Sequence, residues 1–452
     1  MDISNYFLKR YSFFAVFAGL LTLASAHTKN PHFVTIDTEY NVVNSIDFGR
    51  NYLSGWRELT PIITTYVDNN GIISICSVDS NSQETYIYEY AENMSHIRTI
   101  KFHNEFGKFG SFIKDNKGNY YILCAQDVQE GAFNQKNMLL AKYDNDGNRT
   151  GSFYLNAQTS DEIWARGYSG IKIPFANGSC RLEISGDWIA AYFSRTMFRS
   201  RDGKNHQASY GFIINKDTFE RIPNIIMPSA GHSFNQYIFP IENGFIFIDH
   251  GDNGPRGFNF ARVQYSQGIK NLRSFVLKRG RTYQYTFAQL GGLAETTNGY
   301  IFIGTYEKNS SVSHVSHNDS RNIFILTFAN DLNTCSRPIW ITNYTDKNNE
   351  NSANSKITKL GSSGHYLIMW ECMTQYNYKT TLFKIIDETG QSLTDEIELP
   401  NVRLNINDVL RYNTITGNVC WAVNNGIQEI IIYSFNPYNQ IVIDNIVMQN
   451  GT

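Results

Sequence analysis

The sequence predicts an all-β fold built from repeated four-stranded units, and three observations support this prediction. Aromatic residues make up 14% of the 452-residue chain and charged residues 18%, a balance that suits pleated, half-buried strands. Short apolar runs are joined by turns that end in glycine, and these turns recur along the chain. No stretch keeps the 3.6-residue apolar period of an amphipathic helix, which excludes helical repeats.

The recurring turn is an Asn-Gly or Asp-x-x-Gly step between two apolar runs. Such a step predicts a tight hairpin, because the hairpin needs positive φ at its turn positions. Successive turn glycines lie roughly 45 to 70 residues apart, which is the length of four strands with loops of varying length. Each unit is therefore predicted to run strand A, glycine turn, strand B, loop, strand C, polar turn and strand D. The turns end at Gly71, Gly118, Gly244 and Gly299, with looser versions at Gly186, Gly364 and Gly417.

Four-stranded units of this size bury little apolar surface alone, so they must pack face to face and hide their edges by closing into a ring. The predicted fold is a single β-propeller of four-stranded antiparallel blades. Seven glycine turns favour seven blades, while six or eight stay open because the chain ends can pair in two ways. Residues 33–48 can complete a blade begun by C-terminal strands. Alternatively, residues 429–435 and 441–448 supply strands C and D of that blade themselves.

The repeat also resembles a known class of proteins. Residues 299–304 read Gly-aromatic-Ile-x-Ile-Gly, and residues 144–148 read Asp-x-x-Gly-Asn. This combination resembles secreted β-propeller repeat proteins, loosely related to kelch and WD-type propellers. The resemblance covers nearly the whole chain after its first residues, and it implies the architecture without a specific subfamily. The Gly-His…Trp-Asp signature of WD blades and a double glycine in every blade, as in kelch repeats, are absent.

The N-terminal residues predict a secretory signal peptide. Lys9 and Arg10 precede an apolar run at 13–23, and Ala24-Ser25-Ala26 matches the small-residue cleavage pattern. The run is too short to span a bilayer, although an uncleaved anchor is the alternative. We expect a signal peptide at 1–26, a β-propeller domain at 27–452, and a secreted, extracellular protein. Six sequons predict a glycoprotein in a eukaryotic host: Asn93, Asn148, Asn177, Asn309, Asn318 and Asn343.

Charge and cysteine content exclude several classes of partner and site. The formal net charge is −2, so there is no basic excess to neutralise the phosphates of a nucleic acid. No polybasic patch favours a membrane surface. An even number of cysteines permits disulfides, but no CxxC pair indicates structural zinc. Cys76 and Cys124 occupy equivalent repeat positions, which predicts buried free thiols.

The candidate binding site lies on the fourth unit, where strand A and the B–C loop should reach the same face of one blade. Histidine with carboxylate suits metal binding or general acid–base chemistry, and Arg256 suits bidentate binding of a carboxylate or sulfate. The alternative is a hydrogen-bonded blade corner. No metal ligand set is assigned and no cofactor is indicated. The candidate binding residues are His232, Ser233, Asn235, Gln236, Asp249, His250, Asp252 and Arg256.

Two further segments are weaker candidates. His314 and His317 with Asp319 lie in a Ser/Asn-rich B–C loop, where a flexible loop is the simpler interpretation. Residues 194–207 hold three arginines and a lysine, which predicts a basic surface loop that could collect an acidic ligand.

The favoured function is a secreted binding module for a glycan, a peptide or another extracellular protein. One alternative is a secreted polysaccharide hydrolase or lyase that uses the His/Asp/Arg set of the fourth blade. A purely structural or adhesive propeller is the other alternative. The sequence lacks a Gly-rich phosphate loop, a Gly-x-Ser-x-Gly elbow and a His-Glu-x-x-His motif. Hydride transfer, phosphoryl transfer and zinc proteolysis are therefore without support, and a non-enzymatic function is favoured.

Overall fold

Antiparallel strands joined by the predicted turns make up nearly all of the described chain. A computed structural model describes residues 32–39, 63–79, 82, 84–158, 170–176, 179–222, 233–251, 257–265, 268–277, 288–308, 320–345, 350–374, 377–426 and 428–439. The strands form seven four-stranded sheets arranged in a ring, so the protein is a seven-bladed β-propeller. The predicted fold class and blade count are confirmed. The predicted signal peptide lies outside the described residues.

Each blade takes consecutive strands from the chain, with strand A innermost, except where noted below. Blades 1 and 2 consist of β2 (Ile63–Val67), β3 (Ile73–Val78), β4 (Glu84–Tyr90) and β5 (His96–His103), then β6 (Lys108–Lys114), β7 (Tyr120–Ala125), β8 (Lys136–Tyr143) and β9 (Arg149–Asn156). Blades 3 and 4 consist of β10 (Ile173–Pro174), β11 (Cys180–Ser185), β12 (Trp188–Arg199) and β13 (Asn205–Asn215), then β14 (Ser233–Ile241), β15 (Gly244–Gly251), β16 (Gly257–Gln264) and β17 (Gly268–Val276).

The remaining strands complete the ring. Blades 5 and 6 consist of β18 (Gln289–Thr296), β19 (Gly299–Glu307), β20 (Arg321–Ala329) and β21 (Ile339–Trp340), then β22 (Glu350–Lys359), β23 (His365–Thr374), β24 (Asn377–Asp387) and β25 (Ile397–Leu399). Blade 7 consists of β26 (Arg411–Tyr412), β27 (Val419–Asn424), β28 (Glu429–Phe435) and, from the other end of the chain, β1 (His32–Asp37).

The N-terminal strand β1 closes the ring. It pairs antiparallel with β28, from His32 opposite Ser434 to Asp37 opposite Glu429, and takes the place of strand D. Ile36 is buried in the cluster that contains Ile430 and Ile432. This confirms the first of the two predicted closures for the strand at 32–37. Residues 429–435 supply strand C as expected, and the segment at 441–448 lies outside the described residues.

Blade 3 departs from the regular repeat. Its long hairpin of β12 and β13 covers most of the segment predicted as a basic surface loop, and β10 pairs with the far end of β12. Arg195 is fully buried, its guanidinium lies 4.7 Å from the centre of the Tyr210 ring, and Nη1 donates to the carbonyl of Gly170 at 3.0 Å. The loop prediction was therefore wrong, because the apolar residues around Arg195 continue the strand.

The turn glycines serve two different purposes. Gly71 and Gly118 have φ of 80° and 84°, which glycine adopts without steric cost, as the turn pattern predicts. At Gly299 φ is not positive, but an added Cβ would lie 1.8 Å from the carbonyl oxygen of Phe328 on the neighbouring strand. Gly244 is similar, at 2.2 Å from the carbonyl oxygen of Val263. The prediction of positive φ was therefore wrong at these two positions, where glycine is needed for close strand approach.

The apolar core lies between neighbouring blades. One cluster joins blades 2 and 3, and another joins blades 4 and 5. All six cysteines are free thiols and all except Cys335 are buried, which confirms the prediction for Cys76 and Cys124. Burial raises the pKa of Cys124 to about 11, so this thiol stays protonated and packs as a small apolar group.

Candidate functional site

The inner strands surround a central channel, and two charged side chains meet across it. Arg411 lies on β26 of blade 7 and Glu183 on β11 of blade 3, with blades 1 and 2 between them around the ring. Nη2 of Arg411 donates to Oε1 of Glu183 at 3.1 Å, and Nε donates to the carbonyl of Thr65 in blade 1 at 3.0 Å. One guanidinium thus ties three blades together at the centre of the ring.

The alternation of side chains along β11 places Glu183 on the face of the strand opposite blade 2. Cys180 and Leu182 face blade 2 and belong to the apolar cluster between blades 2 and 3. Arg181, Glu183 and Ser185 point the other way, since successive side chains of a strand lie on opposite faces. Ser185 and Arg181 both donate to backbone carbonyls of β14 in blade 4. The charged residues of β11 therefore lie on the face turned away from blade 2, where Glu183 reaches Arg411.

A cavity of about 350 Å³ lies beside this ion pair, where the inner strands lead into the A–B turns. Most of its wall is apolar. The side chains of Arg411 and Glu183 are 25% and 14% exposed, so both can be reached from the cavity. Six of the seven blades contribute to its lining, among them Val67, Glu183, Tyr237, Leu293, Ile357 and Arg411.

Burial sets the electrostatics of the cavity floor. It raises the pKa of the Glu183 carboxyl, and the Arg411 guanidinium opposes that rise. Burial also lowers the pKa of Arg411, but the carboxylates of Glu183 and Asp408 outweigh it and hold the pKa above its usual range. Burial raises the pKa of Tyr66 to about 12, so its hydroxyl stays protonated. The lining therefore presents the Arg411 guanidinium and the Glu183 carboxyl, and Lys359 and Glu295 line the same cavity.

A second group of charged side chains lies further along the channel. The carboxylate of Asp408 accepts the backbone N–H of Thr65 at 2.6 Å. Nζ of Lys356 on β22 donates to the carbonyls of Asp408 at 2.7 Å and Ile406 at 3.2 Å. Burial, and then the nearby Arg181, lower the pKa of Lys356 to about 7. Residues of blades 1 and 6 and of the segment that leads into blade 7 thus meet at these hydrogen bonds.

Four of the eight residues predicted as a binding site lie where their side chains are described, and all four are buried. Asn235 and Gln236 lie on β14, and both form hydrogen bonds with Ser179 of blade 3. The Ser179 hydroxyl donates to Oδ1 of Asn235 at 2.9 Å. The Ser179 backbone N–H donates to Oε1 of Gln236 at 2.9 Å. These contacts join two blades. Ser233 begins β14, and its side chain lies outside the described part, as do His232, Asp252 and Arg256.

Asp249 is the centre of a hydrogen-bond network between blades 3 and 4. Its Oδ2 accepts the hydroxyls of Tyr192 and Ser209, each at 2.9 Å, and its Oδ1 accepts Nδ2 of Asn259 at 2.9 Å. The carboxylate is fully buried. Three donors around one buried carboxylate are the arrangement that stabilises a charge removed from water.

His250 lies on the opposite face of β15 from Asp249. Its ring packs 5.2 Å from that of Phe258, in the apolar region between blades 4 and 5. Burial lowers the pKa of His250 to about 4, so the imidazole is neutral near pH 7. The structure therefore places Asn235, Gln236 and Asp249 at the boundary between blades 3 and 4, and His250 at the boundary between blades 4 and 5.

Sequence reasoning missed the channel residues, although it had a usable signal. Arg181 and Glu183 alternate with apolar residues in the strand that leads to Gly186, which marks an inner strand with one charged face. The predicted site was placed on a B–C loop, whereas these residues lie on and beside the inner strands. Lys356, Asp408 and Arg411 lie on the corresponding parts of blades 6 and 7. Their proximity to Glu183 could not be predicted without the closed ring.

Other kinds of site find no support within the described ranges. There, no group of three or more His, Cys, Asp or Glu side chains is placed to hold a metal ion. Among the same residues, no helix is both long and apolar enough to cross a membrane. The segment with His314, His317 and Asp319 lies outside them.

The fold and its channel define the protein as a seven-bladed propeller, an architecture that supports an interaction or enzymatic module. No family model matches the sequence, and a search of curated proteins gives no match. Similar solved structures include a chain of the mitotic checkpoint complex (7% identity, 90% of this chain and 94% of that chain, TM-score 0.47). Hydrazine synthase of Kuenenia stuttgartiensis is also similar (10% identity, 87% and 98%, TM-score 0.45). An endo-arabinase of Bacteroides thetaiotaomicron VPI-5482 covers less (13% identity, 57% and 93%, TM-score 0.32).

Proposed function

We propose that this protein is a binding module whose central channel receives part of a peptide or of a protein partner. The observation that carries the proposal is the cavity of about 350 Å³ with the Arg411–Glu183 pair at its floor. Small-ligand sites are concave, mostly apolar, and contain a few convergent polar groups, and this cavity has those features. The predicted signal peptide supports a partner outside the cell.

The composition of the wall favours a peptide over a glycan. The side chains of Leu293, Ile357 and Val409 offer no hydrogen bonds, whereas charged ends are supplied elsewhere in the lining by Glu183, Glu295, Lys359 and Arg411. A sugar buried there would leave hydroxyls without partners, at a cost of about 1–3 kcal/mol for each. A long peptide side chain with a charged end matches the cavity, because its apolar stem contacts the apolar wall and its charged end contacts Glu183 or Arg411.

The polysaccharide hydrolase or lyase proposed for the fourth blade stays a second hypothesis. It needs His232, Asp249, His250, Asp252 and Arg256 to converge on a pocket. Of the two whose side chains are described, Asp249 and His250 face different blades. No observation on the described residues favours this alternative over binding in the channel.

Selection from a phage-displayed library of random linear heptapeptides tests the proposal. Selected peptides are synthesised, and their affinity for the purified chain is measured by isothermal titration calorimetry. In the Glu183→Gln and Arg411→Met variants we expect a loss of affinity of about tenfold or more, because each removes one charge from the floor. The matched control is Glu105→Gln, which removes an exposed carboxylate that pairs with Arg149 on the outside of blade 2.

The exchange variant Glu183→Arg/Arg411→Glu separates binding from folding. It keeps an ion pair across the channel but reverses the order of the two charges, so it should remain folded and change which peptides bind. Circular dichroism and thermal melting confirm that each variant is folded. If folded Glu183→Gln and Arg411→Met bind the selected peptides as tightly as Glu105→Gln does, the channel is not the binding site.

A further inference from the structure

Two atoms of the Arg411–Glu183 pair remain available to a ligand. The pair itself uses Nη2 of Arg411 and Oε1 of Glu183, and Nε of Arg411 donates to the carbonyl of Thr65. In the described part of the chain, Nη1 of Arg411 and Oε2 of Glu183 form no hydrogen bond, and neither atom is fully enclosed by protein. Both side chains line the cavity, so a free donor and a free acceptor lie close together at its floor.

The described lining carries both signs of charge in balance. Lys359 of blade 6 and Arg411 of blade 7 supply positive charge, and Glu183 of blade 3 and Glu295 of blade 5 supply negative charge. Lys359 and Glu295 form no ion pair with each other or with another side chain of the described ranges. A ligand with a single charge would leave lining charges of its own sign without a partner. A ligand with one positive and one negative group gives each of them an opposite charge to contact.

The size of the cavity favours the end of a peptide chain over an internal segment. Its volume of about 350 Å³ lies near the lower end of the range for small-ligand pockets. The Arg411–Glu183 pair crosses the channel at the floor of the cavity, so a chain cannot continue past it. An internal segment would have to enter and leave through the same mouth, whereas a chain end enters once.

The spacing of the free atoms distinguishes the two ends of a peptide. Nη1 of Arg411 and Oε2 of Glu183 belong to groups that touch at 3.1 Å, so the two charges of the ligand must also be close together. In an N-terminal aspartate or glutamate, a short carbon stem separates the α-ammonium from the side-chain carboxylate. In a C-terminal lysine or arginine, a whole long side chain separates the two charges. The N terminus therefore fits better.

We infer that the cavity binds the N-terminal residue of a peptide that begins with aspartate or glutamate. The α-ammonium donates to Oε2 of Glu183, and the side-chain carboxylate accepts Nη1 of Arg411, which are both charge-assisted hydrogen bonds. The following residues contact the apolar wall at Leu293, Ile357 and Val409, which favours a peptide over a free amino acid. This inference rests on the proposed peptide-binding function and specifies its ligand.

Three synthetic heptapeptides test the inference on the unmodified chain. The first is Asp-Leu-Ala-Gly-Ser-Gly-Ser with a free N terminus and an amidated C terminus. The second is the same peptide with its N terminus acetylated, and the third begins with asparagine in place of aspartate. Isothermal titration calorimetry measures the Kd of each. We expect acetylation and the change to asparagine each to weaken binding about tenfold, because each removes one charge of the ligand.

Variants of the chain assign each charge of the peptide to its partner. Acetylation should have little effect in Glu183→Gln, and the change to asparagine should have little effect in Arg411→Met, since the partner is already absent. Both effects should persist in the exposed control Glu105→Gln. If the channel variants do not fold, the three peptides on the unmodified chain decide.

The outcomes separate this inference from the proposed function. Equal affinity of the free and acetylated peptides overturns the inference, as does the full effect of acetylation in folded Glu183→Gln. It is also overturned if the aspartate peptide does not bind while library-selected peptides do. In each of these cases the proposed function stands as long as the selected peptides need Glu183 and Arg411. Selected peptides that bind without either residue overturn the proposed function, and this inference with it.

Discussion

The guanidinium of Arg411 and the carboxylate of Glu183 meet across the central channel, 3.1 Å apart, although 228 residues separate them in the chain. A contact of this kind links opposite parts of the ring, whereas the apolar clusters link only neighbouring blades. The pair therefore couples blades 3 and 7 directly, and it lies where a ligand in the channel cavity would touch it.

Removal of either partner of this pair should destabilise the ring. Glu183→Gln leaves Arg411 partly buried without its carboxylate, and we expect a loss of about 1–3 kcal/mol in the free energy of unfolding. Urea unfolding of Glu183→Gln, Arg411→Met and the double variant forms a double-mutant cycle. The loss in the double variant should be smaller than the sum of the single losses by about 1 kcal/mol. Additive losses would show that the two charges do not stabilise each other.

Asp249 should behave as a residue that holds two blades together. In Asp249→Asn the new amide meets the hydroxyls of Tyr192 and Ser209 and the amide of Asn259, and one acceptor oxygen is lost. We expect a loss of about 2–4 kcal/mol in the free energy of unfolding, measured in urea. The control is Asp202→Asn, at an exposed turn carboxylate, where the change should be much smaller. Unaltered stability of Asp249→Asn would favour a ligand-binding role for this carboxylate.

The sequence predicted the ring because the information for it is local. The turns at Gly71 and Gly118 are each specified by a few adjacent residues, and their recurrence defines the blades. The partner of β1 was left open, because Ile36 and Ile430 are close only after the whole ring has formed. The same reason hid the channel site. The alternation of Arg181 and Glu183 is visible in the sequence, but their meeting with Lys356 and Arg411 depends on the number of blades and on the depth of each residue in the channel.

The strand that closes the ring offers a matched pair of substitutions. Ile36 is 6% exposed and packs in the cluster between blades 7 and 1, whereas Phe33 on the same strand is 57% exposed. Ile36→Ala should cost about 2–4 kcal/mol through lost burial and a new cavity. Phe33→Ala should change stability by no more than about 0.5 kcal/mol. Urea unfolding measures both, and equal effects would mean that β1 does not contribute its apolar face to ring closure.

His250 should make the propeller sensitive to acid. Burial holds its folded-state pKa at about 4, below the ordinary value of 6.5 that applies once the chain unfolds. Between these two values the unfolded state binds a proton that the folded state excludes, so falling pH favours unfolding. Above pH 6.5, His250 should therefore not affect the free energy of unfolding. Between pH 6.5 and pH 4 the free energy of unfolding should fall by about 1.4 kcal/mol for each unit of decreasing pH. Below pH 4 this residue should cause no further loss.

The His250→Gln variant isolates this contribution, because glutamine is polar and does not titrate. Its stability should depend less steeply on pH than that of the unmodified chain between pH 6.5 and pH 4. The control is His96→Gln, which removes an exposed histidine from the outer strand of blade 1 and should keep the steep dependence. Urea unfolding at half-unit intervals of pH gives the three curves. Parallel curves for His250→Gln and the unmodified chain would show that the imidazole is solvated or already charged in the folded protein, and the packing of His250 against Phe258 would then not exclude a proton.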